Sequence, residues 1–226
     1  MTTKILLRQI NNHKVNKIPL PVQTKPVKGA DLCRECYANI YMVAPTASGK
    51  TTAIYDMLNE CADKDTKIIV FSSTLYNDDN WIWISEQFHD KHIYYEEHTS
   101  IYDEDTDANI LQGLVDQLKD EAKARLEAKK AKNKRCKYQY PEYILVFDDI
   151  DEEIHTKMFA SLLKRARHYL CKVIISSQSL KDMISGARKQ IRVWLLFNGI
   201  SNEDLKDIYG KLRLRIPFDL FVSLYR

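Results

Sequence analysis

No stretch of this sequence approaches the ~18 consecutive apolar residues that a membrane-crossing helix requires. The opening MTTKILLRQINNHK has too short an apolar run for a secretory signal peptide. There is no internal repeat, and the six histidines show no ligand spacing such as H-x-x-x-H. A second closely spaced cysteine pair is also missing. Cys33 and Cys36 form a lone C-x-x-C, half of a zinc site at most, which Cys61, Cys136 or a histidine would have to complete. The five cysteines are odd in number and scattered, a pattern that suits a reducing compartment, with free thiols as the expected state. These absences together predict a soluble, intracellular protein.

What is present fits one α/β domain, with at most small additions. The chain has 226 residues, 45% hydrophobic and 29% charged, enough for a sizeable core. A net charge of +3 is compatible with a nucleic-acid partner but does not argue for one. Residues 1–37 are polar and basic, with prolines at 19, 21 and 26, and read as an arm or small hairpin. Residues 38–212 read as the core and 213–226 as a tail. Within the core, apolar runs predict strands at 38–44, 67–74, 143–150, 172–178 and 193–198, with a short one within 91–98. Helical patterns lie between them: after residue 50, after Asp78 or Asp79 as cap, over about 107–132, and over 152–170 with Ile154, Met158, Phe159, Leu162 and Leu163 on one face. A last helix comes after Ser201, with Asp204 completing a weak capping box. Strands alternating with helices predict a mostly parallel central sheet covered on both faces.

One further absence bears on chemistry. The phosphate-binding pattern G-x-x-x-x-G-K-[ST] is met by Gly49, Lys50 and Thr51, but its first glycine is Ala44. The segment Ala44, Pro45, Thr46, Ala47, Ser48, Gly49, Lys50, Thr51, Thr52 lies between a predicted strand and a predicted helix, the context such a loop needs. Backbone N–H groups there would face phosphates at a positively polarised helix start. Lys50 would reach the β- and γ-phosphates of ATP, and Thr51 would place its hydroxyl on Mg²⁺. The first position closes the base of the loop, where a methyl group is tolerable and Pro45 adds stiffness. The alternative is a strand–turn–helix that happens to carry Ser-Gly-Lys-Thr.

ILVFDD, ending at Asp149, has the form of a strand that delivers acids to such a loop. Asp148 would hold Mg²⁺ through water. Asp149 stands where many ATPases place a glutamate that polarises the attacking water. Otherwise this is a buried strand with a helix-capping aspartate. Gln178 ends the next strand; if that strand inserts between the two motif strands, Gln178 reaches the γ-phosphate or the water. Small-metabolite kinases usually lack this extra strand, which favours hydrolysis by water.

APTASGKTT, VFDD, ARHYLCKVIISSQ and GARKQIRVWLLF together resemble the FtsK–HerA superfamily, and within it the poxvirus-type genome-packaging ATPases of large DNA viruses and virophages. Arg167-His168, Ile191-Arg192 and FSSTLYNDDNW carry the detail, over about residues 38–200. The resemblance implies a RecA-like P-loop core assembled as a ring that moves double-stranded DNA. By position it assigns nucleotide and Mg²⁺ to Lys50 and Thr51, Mg²⁺ to Asp148, water activation to Asp149 and γ-phosphate sensing to Gln178. It also implies an arginine finger from a neighbouring subunit: Arg192 first, then Arg188, with Arg167 and Arg165 behind. Val193-Trp194 departs from the small residue and Asn that relatives often carry after Ile-Arg. A capsid or vertex protein is the further implied partner, and the host cytoplasm, viral factory or virion the implied location. Rival readings are a helicase or conjugation-type motor, and a P-loop kinase or nucleotide-gated switch.

Two features remain outside these motifs. Residues 123–137 carry eight Lys or Arg and one Glu, read as a solvated helix end or as a DNA-backbone contact. Trp81 and Trp83, beside Ile82 and Ile84, read as core or subunit-interface residues rather than as a nucleotide stack.

Overall fold

Tyr143–Asp148 (β4) is buried at every position, as expected of a strand with a protein layer on each face. It lies in a six-stranded sheet with Asn39–Val43 (β1), Lys67–Ser72 (β2), Tyr94–His98 (β3), Cys171–Ser177 (β5) and Val193–Leu196 (β6). Every pairing is parallel, and the order is β3-β2-β4-β5-β1-β6. The sheet is thus all-parallel. The structure is a computed structural model that describes residues 25–103, 105–127, 138–150, 152–178, 183–212 and 214–226.

The strand pleat sends alternate residues to opposite layers. Tyr41, Phe71, Leu145, Phe147 and Ile175 join one core layer. Ile40, Met42, Val70, Val146 and Ile174 join the other. Lys50–Cys61 (α1) and Asp79–Asp90 (α2) cover the second layer with Ile54, Leu58, Trp81 and Phe88. The first is covered by Ile110–Glu127 (α3), Lys157–Arg165 (α4), Ser185–Arg188 (α5), Asn202–Leu212 (α6) and Phe218–Tyr225 (α7). Among the described residues, no helix is long and apolar enough to cross a membrane.

Most predicted elements fall in place, with shifted ends. The long helix expected over 107–132 is α3; residues 128–137 lie outside the described residues. The helix expected from residue 152 begins at Lys157, because extended Thr156 caps it and accepts a hydrogen bond from the Phe159 N–H at 3.2 Å. Ile154 therefore sits in the preceding turn, yet is still buried. Ser201 and Asp204 cap α6 reciprocally: the Asp204 N–H donates to Ser201 Oγ at 3.1 Å and the hydroxyl donates to Asp204 Oδ2 at 2.7 Å. Beyond residue 212, α7 places Phe221 in the core, and the Tyr225 hydroxyl donates to the Phe197 carbonyl at 2.6 Å. At the other end, Cys33 and Cys36 are buried and Val27 bridges Gln139. Residues 1–24 lie outside the described residues.

The insertion that Gln178 depends on is present: β5 runs between β4 and β1. The ends of β1, β4 and β5 therefore lie side by side, and the segments leaving these three strands meet at the carboxyl edge of the sheet.

Candidate nucleotide-binding site

The loop after β1 begins with Ala44, which is fully buried and donates its N–H to the Ser177 carbonyl at 3.1 Å. This ties the loop base to the end of β5. Ala44 is not among the positive-φ residues, so its place does not demand glycine. Pro45 is braced from outside: a Cβ on Gly199 would lie 3.2 Å from Pro45 Cγ. Gly49 does need to be glycine, since it caps α1 at φ 90, in the left-handed region. No acid stands in the first turn of α1, so its positive pole is unshielded.

Lys50 is 7% exposed and its Nζ pairs with Asp149 Oδ2. Asp149 is itself left-handed, at φ 51. Two strand ends hold its backbone: its N–H donates to the Ser176 carbonyl at 3.2 Å, and Ser73 Oγ donates to its carbonyl at 3.0 Å.

Asp148 is 2% exposed, and its Oδ2 accepts from Trp81 Nε1 at 3.3 Å. Burial pushes its carboxyl above the usual range; nearby Lys50 opposes this, and Asp149 adds to it. Asp148 Oδ1, Asp149 Oδ1 and Ser48 Oγ are buried and accept or donate no hydrogen bond among the described residues. Buried oxygens of this kind are normally satisfied. Two such carboxylate oxygens beside a lysine and a helix start form an arrangement suited to a phosphate with a divalent cation.

These groups line an open cleft of about 650 Å³. Thr46, Ala47 and residues 49–52 make one wall; Asp148 and Asp149 make the floor. The opposite wall is Thr74 and residues 77–80, where Asp78 caps α2 by accepting from the Asn80 N–H at 2.9 Å. Sequence alone marks Asp78 and Asp79 only as a helix start, and Trp81 only as packing. Asp78 and Asp79 line the cleft, and Trp81 acts from beneath it through Asp148, because α2 aims its first turn at the tip of β4. The one legible signal is the short spacing from β2 to the cap.

Gln178 is exposed and directly follows Ser177, whose carbonyl holds the loop base. The fold thus places Gln178 next to the base of the loop, although it is not among the residues that line the cleft. It does not bring Arg192 there. The Arg192 N–H donates to the Asn39 carbonyl at 2.9 Å, at the amino end of β6, and Nε lies 3.8 Å from Glu35 Oε2. That is the edge of the sheet opposite the cleft. Arg165 and Arg167, just before β5, lie toward that edge too. Trp83 is half exposed and meets Tyr55 edge-on at 4.8 Å.

Away from the cleft, burial raises the Cys36 thiol to about 11, and Cys33 Sγ donates to the Glu35 carbonyl at 3.4 Å. Among the described residues no group of three or more His, Cys, Asp or Glu could hold a metal ion.

The fold recurs in solved structures. The DNA-packaging ATPase B204 of Sulfolobus turreted icosahedral virus is 17% identical, with a TM-score of 0.51, covering 77% of this chain and 82% of that one. EssC (ATPases 2 and 3) from Geobacillus thermodenitrificans is 12% identical with a TM-score of 0.55, covering 85% of this chain but only 40% of that one. Another structure, the cytoplasmic domain of EssC, is 15% identical with a TM-score of 0.55; this chain spans 36% of it. At these identities the likeness is one of fold. A comparison with curated protein sequences finds no match. The family described as Poxvirus A32 protein, however, matches residues 29–221, most of the chain and the whole of the cleft just described. This chain belongs to the poxvirus A32 protein family.

Proposed function

We propose that this protein is an ATP-hydrolysing motor that packages viral double-stranded DNA. The observation that carries the reading is the meeting, in one cleft, of Lys50 at an unshielded helix start with the buried Asp148 and the partly buried Asp149. Family membership and a fold shared with a DNA-packaging ATPase support it.

ATP would lay its phosphates along the N–H groups of residues 46–51, with Lys50 on the β- and γ-phosphates. Thr51 and Asp148 would hold Mg²⁺, which spreads the phosphate charge when bound. Trp81 fixes one oxygen of Asp148, which leaves Oδ1 for the cation's water shell. Asp149 takes the proton of the attacking water as its oxygen bonds to the γ-phosphorus and the bond to the β-phosphate oxygen breaks. General-base assistance of this kind contributes about 10²–10⁴-fold. Gln178, one strand over, contacts the γ-phosphate or that water.

A finger such as Arg192 serves the site of the next subunit, which accords with its place on the edge away from its own cleft. Self-association into a ring follows from that requirement. Duplex DNA is the substrate moved, a capsid or vertex protein the docking partner, and the host cytoplasm or viral factory the place of action.

ATP turnover at low salt, with and without duplex DNA and with Lys50→Ala as blank, tests the reading. Turnover raised by DNA, and less so as salt rises, is the expected result. Turnover indifferent to DNA in an assembled ring would sink the motor reading and leave a kinase or switch.

A further inference from the structure

We propose that a basic groove at the opposite end of the sheet from the phosphate loop grips the backbone of duplex DNA. The inference rests on the motor reading and locates its DNA contact.

The groove, about 820 Å³, lies between the second half of α3, the end of α4 and α5. Lys119, Lys123, Lys164, Arg165 and His168 line it, and among the described residues no carboxylate does. Lys164, Arg165 and His168 are exposed and make no ion pair with any described residue. Cations in the last turn of α4 have an ordinary reason to be there, the negative pole of that helix. Lys119 and Lys123, from the middle and later turns of α3, have no such reason. Each reaches back to an aspartate three residues earlier, at 2.5 and 2.8 Å. Exposed pairs of this kind contribute little and exchange readily for a phosphate.

Besides Asp116 and Asp120, which pair with the groove lysines, and Glu127 near Lys123, two further acids lie close by and are engaged by Arg125. Arg125 pairs with Glu142 and lies 3.8 Å from Glu121, on the flank of the groove. Among the described residues no exposed Phe, Tyr or Trp lines it, since Tyr169 is buried, and the His168 imidazole is the one exposed ring, too little for a platform of stacked bases. That favours a duplex held by its phosphates over a single strand. Arg125 also donates to the Tyr169 carbonyl at 3.4 Å, which anchors this half of α3 near the start of β5. The phosphate loop is at the other ends of the strands, so DNA and nucleotide do not compete for one surface.

The test is the salt dependence of duplex binding. Wild type, Lys119→Gln/Lys123→Gln/Lys164→Gln, and the control Lys64→Gln/Lys157→Gln/Lys206→Gln would be titrated with a labelled duplex from about 50 to 300 mM salt. Arg165 stays in place because it is also a finger candidate. Each lost phosphate contact flattens the slope of log K against log salt by about 0.9. The groove variant should lose about 2 to 3 units of slope and at least about tenfold in affinity. Its DNA-free ATP turnover should stay within about twofold, and the control should keep the wild-type slope. Lys123 is 71% exposed, so Lys123→Gln alone threatens no packing and should lose about 0.9. An unchanged slope in both groove variants, with wild type binding DNA, overturns the groove and leaves the motor. An unchanged slope with an altered assembled size also overturns it, marking the groove as a subunit contact. Wild type that ignores duplex DNA at low salt removes the motor reading and the groove together.

Discussion

Trp81 Nε1 donates to Asp148 Oδ2 at 3.3 Å, inside a layer from which both side chains are closed to solvent. The tryptophan comes from the first turns of α2 and the aspartate from the tip of β4, 67 residues apart. A side chain that sequence pattern assigns to the core therefore also holds the carboxylate that we propose for Mg²⁺.

Trp81→Phe keeps the ring and deletes the donor. A hydrogen bond to a charged group contributes about 1.5–3 kcal/mol. The expected result is a folded protein whose turnover falls about tenfold at limiting Mg²⁺ and recovers in part at high Mg²⁺. A Mg²⁺ titration of ATP turnover reads it. An unshifted half-saturation would reduce Trp81 to packing alone.

Lys50→Ala and Asp149→Asn break the same ion pair from opposite ends, yet should differ in outcome. The first removes the phosphate anchor, so neither binding nor turnover should survive. The second should leave ATP-analogue binding in place while turnover falls about 10²–10⁴-fold. Calorimetric binding beside steady-state turnover separates them, and wild-type turnover from either variant would refute the assignment.

Two substitutions in the loop test why one glycine is kept and the other is not. At Gly49 an added Cβ meets nothing within 4 Å, so Gly49→Ala costs only backbone strain, about 1–2 kcal/mol. Turnover should drop as the helix start shifts. Ala44→Gly empties a buried methyl position and loosens the chain, at about 1–2 kcal/mol, with turnover within about twofold of wild type. Thermal melts beside turnover check both. A large gain in rate from Ala44→Gly would mean that the alanine is a defect.

The buried Asp148 carboxyl gives a signed pH prediction. Its folded pKa lies above its unfolded value, chiefly through desolvation. Between those values the folded state binds more protons, so this group's contribution falls as pH rises. At neutral pH its charge is a cost to the nucleotide-free fold. Asp148→Asn should therefore raise the melting temperature at neutral pH. The advantage should shrink as pH falls to where Asp148 takes up its own proton. Mg²⁺-dependent turnover should be lost throughout. A variant that melts lower at neutral pH and gains on acidification would reverse the sign.

The legible parts of this protein are those where chemistry follows chain order. Lys50 and Thr51 follow a strand and open a helix, and Asp148 and Asp149 end an apolar run, so type and spacing are enough. Gln178 needs a condition, the insertion of β5, which a parallel sheet permits but does not dictate. Residues 77–80 cannot be read as cleft wall, nor Trp81 as the partner of Asp148, because their roles come from the approach of α2 to a strand far away in sequence. Position within the sheet also decides Arg192: as the residue before β6 it falls at the amino edge, which no local pattern marks. The last helix is different. Phe218, Phe221, Val222 and Tyr225 have a helical spacing after Pro217, so α7 is readable in a segment set aside as a tail.

The ion pair between Lys50 and Asp149 also ties the phosphate loop to the tip of β4. On the proposed reading, the residue assigned to phosphate and the residue assigned to water are each other's counter-charge. A γ-phosphate that took the lysine as its own partner would leave the carboxylate without one, so the two roles are coupled through a single contact.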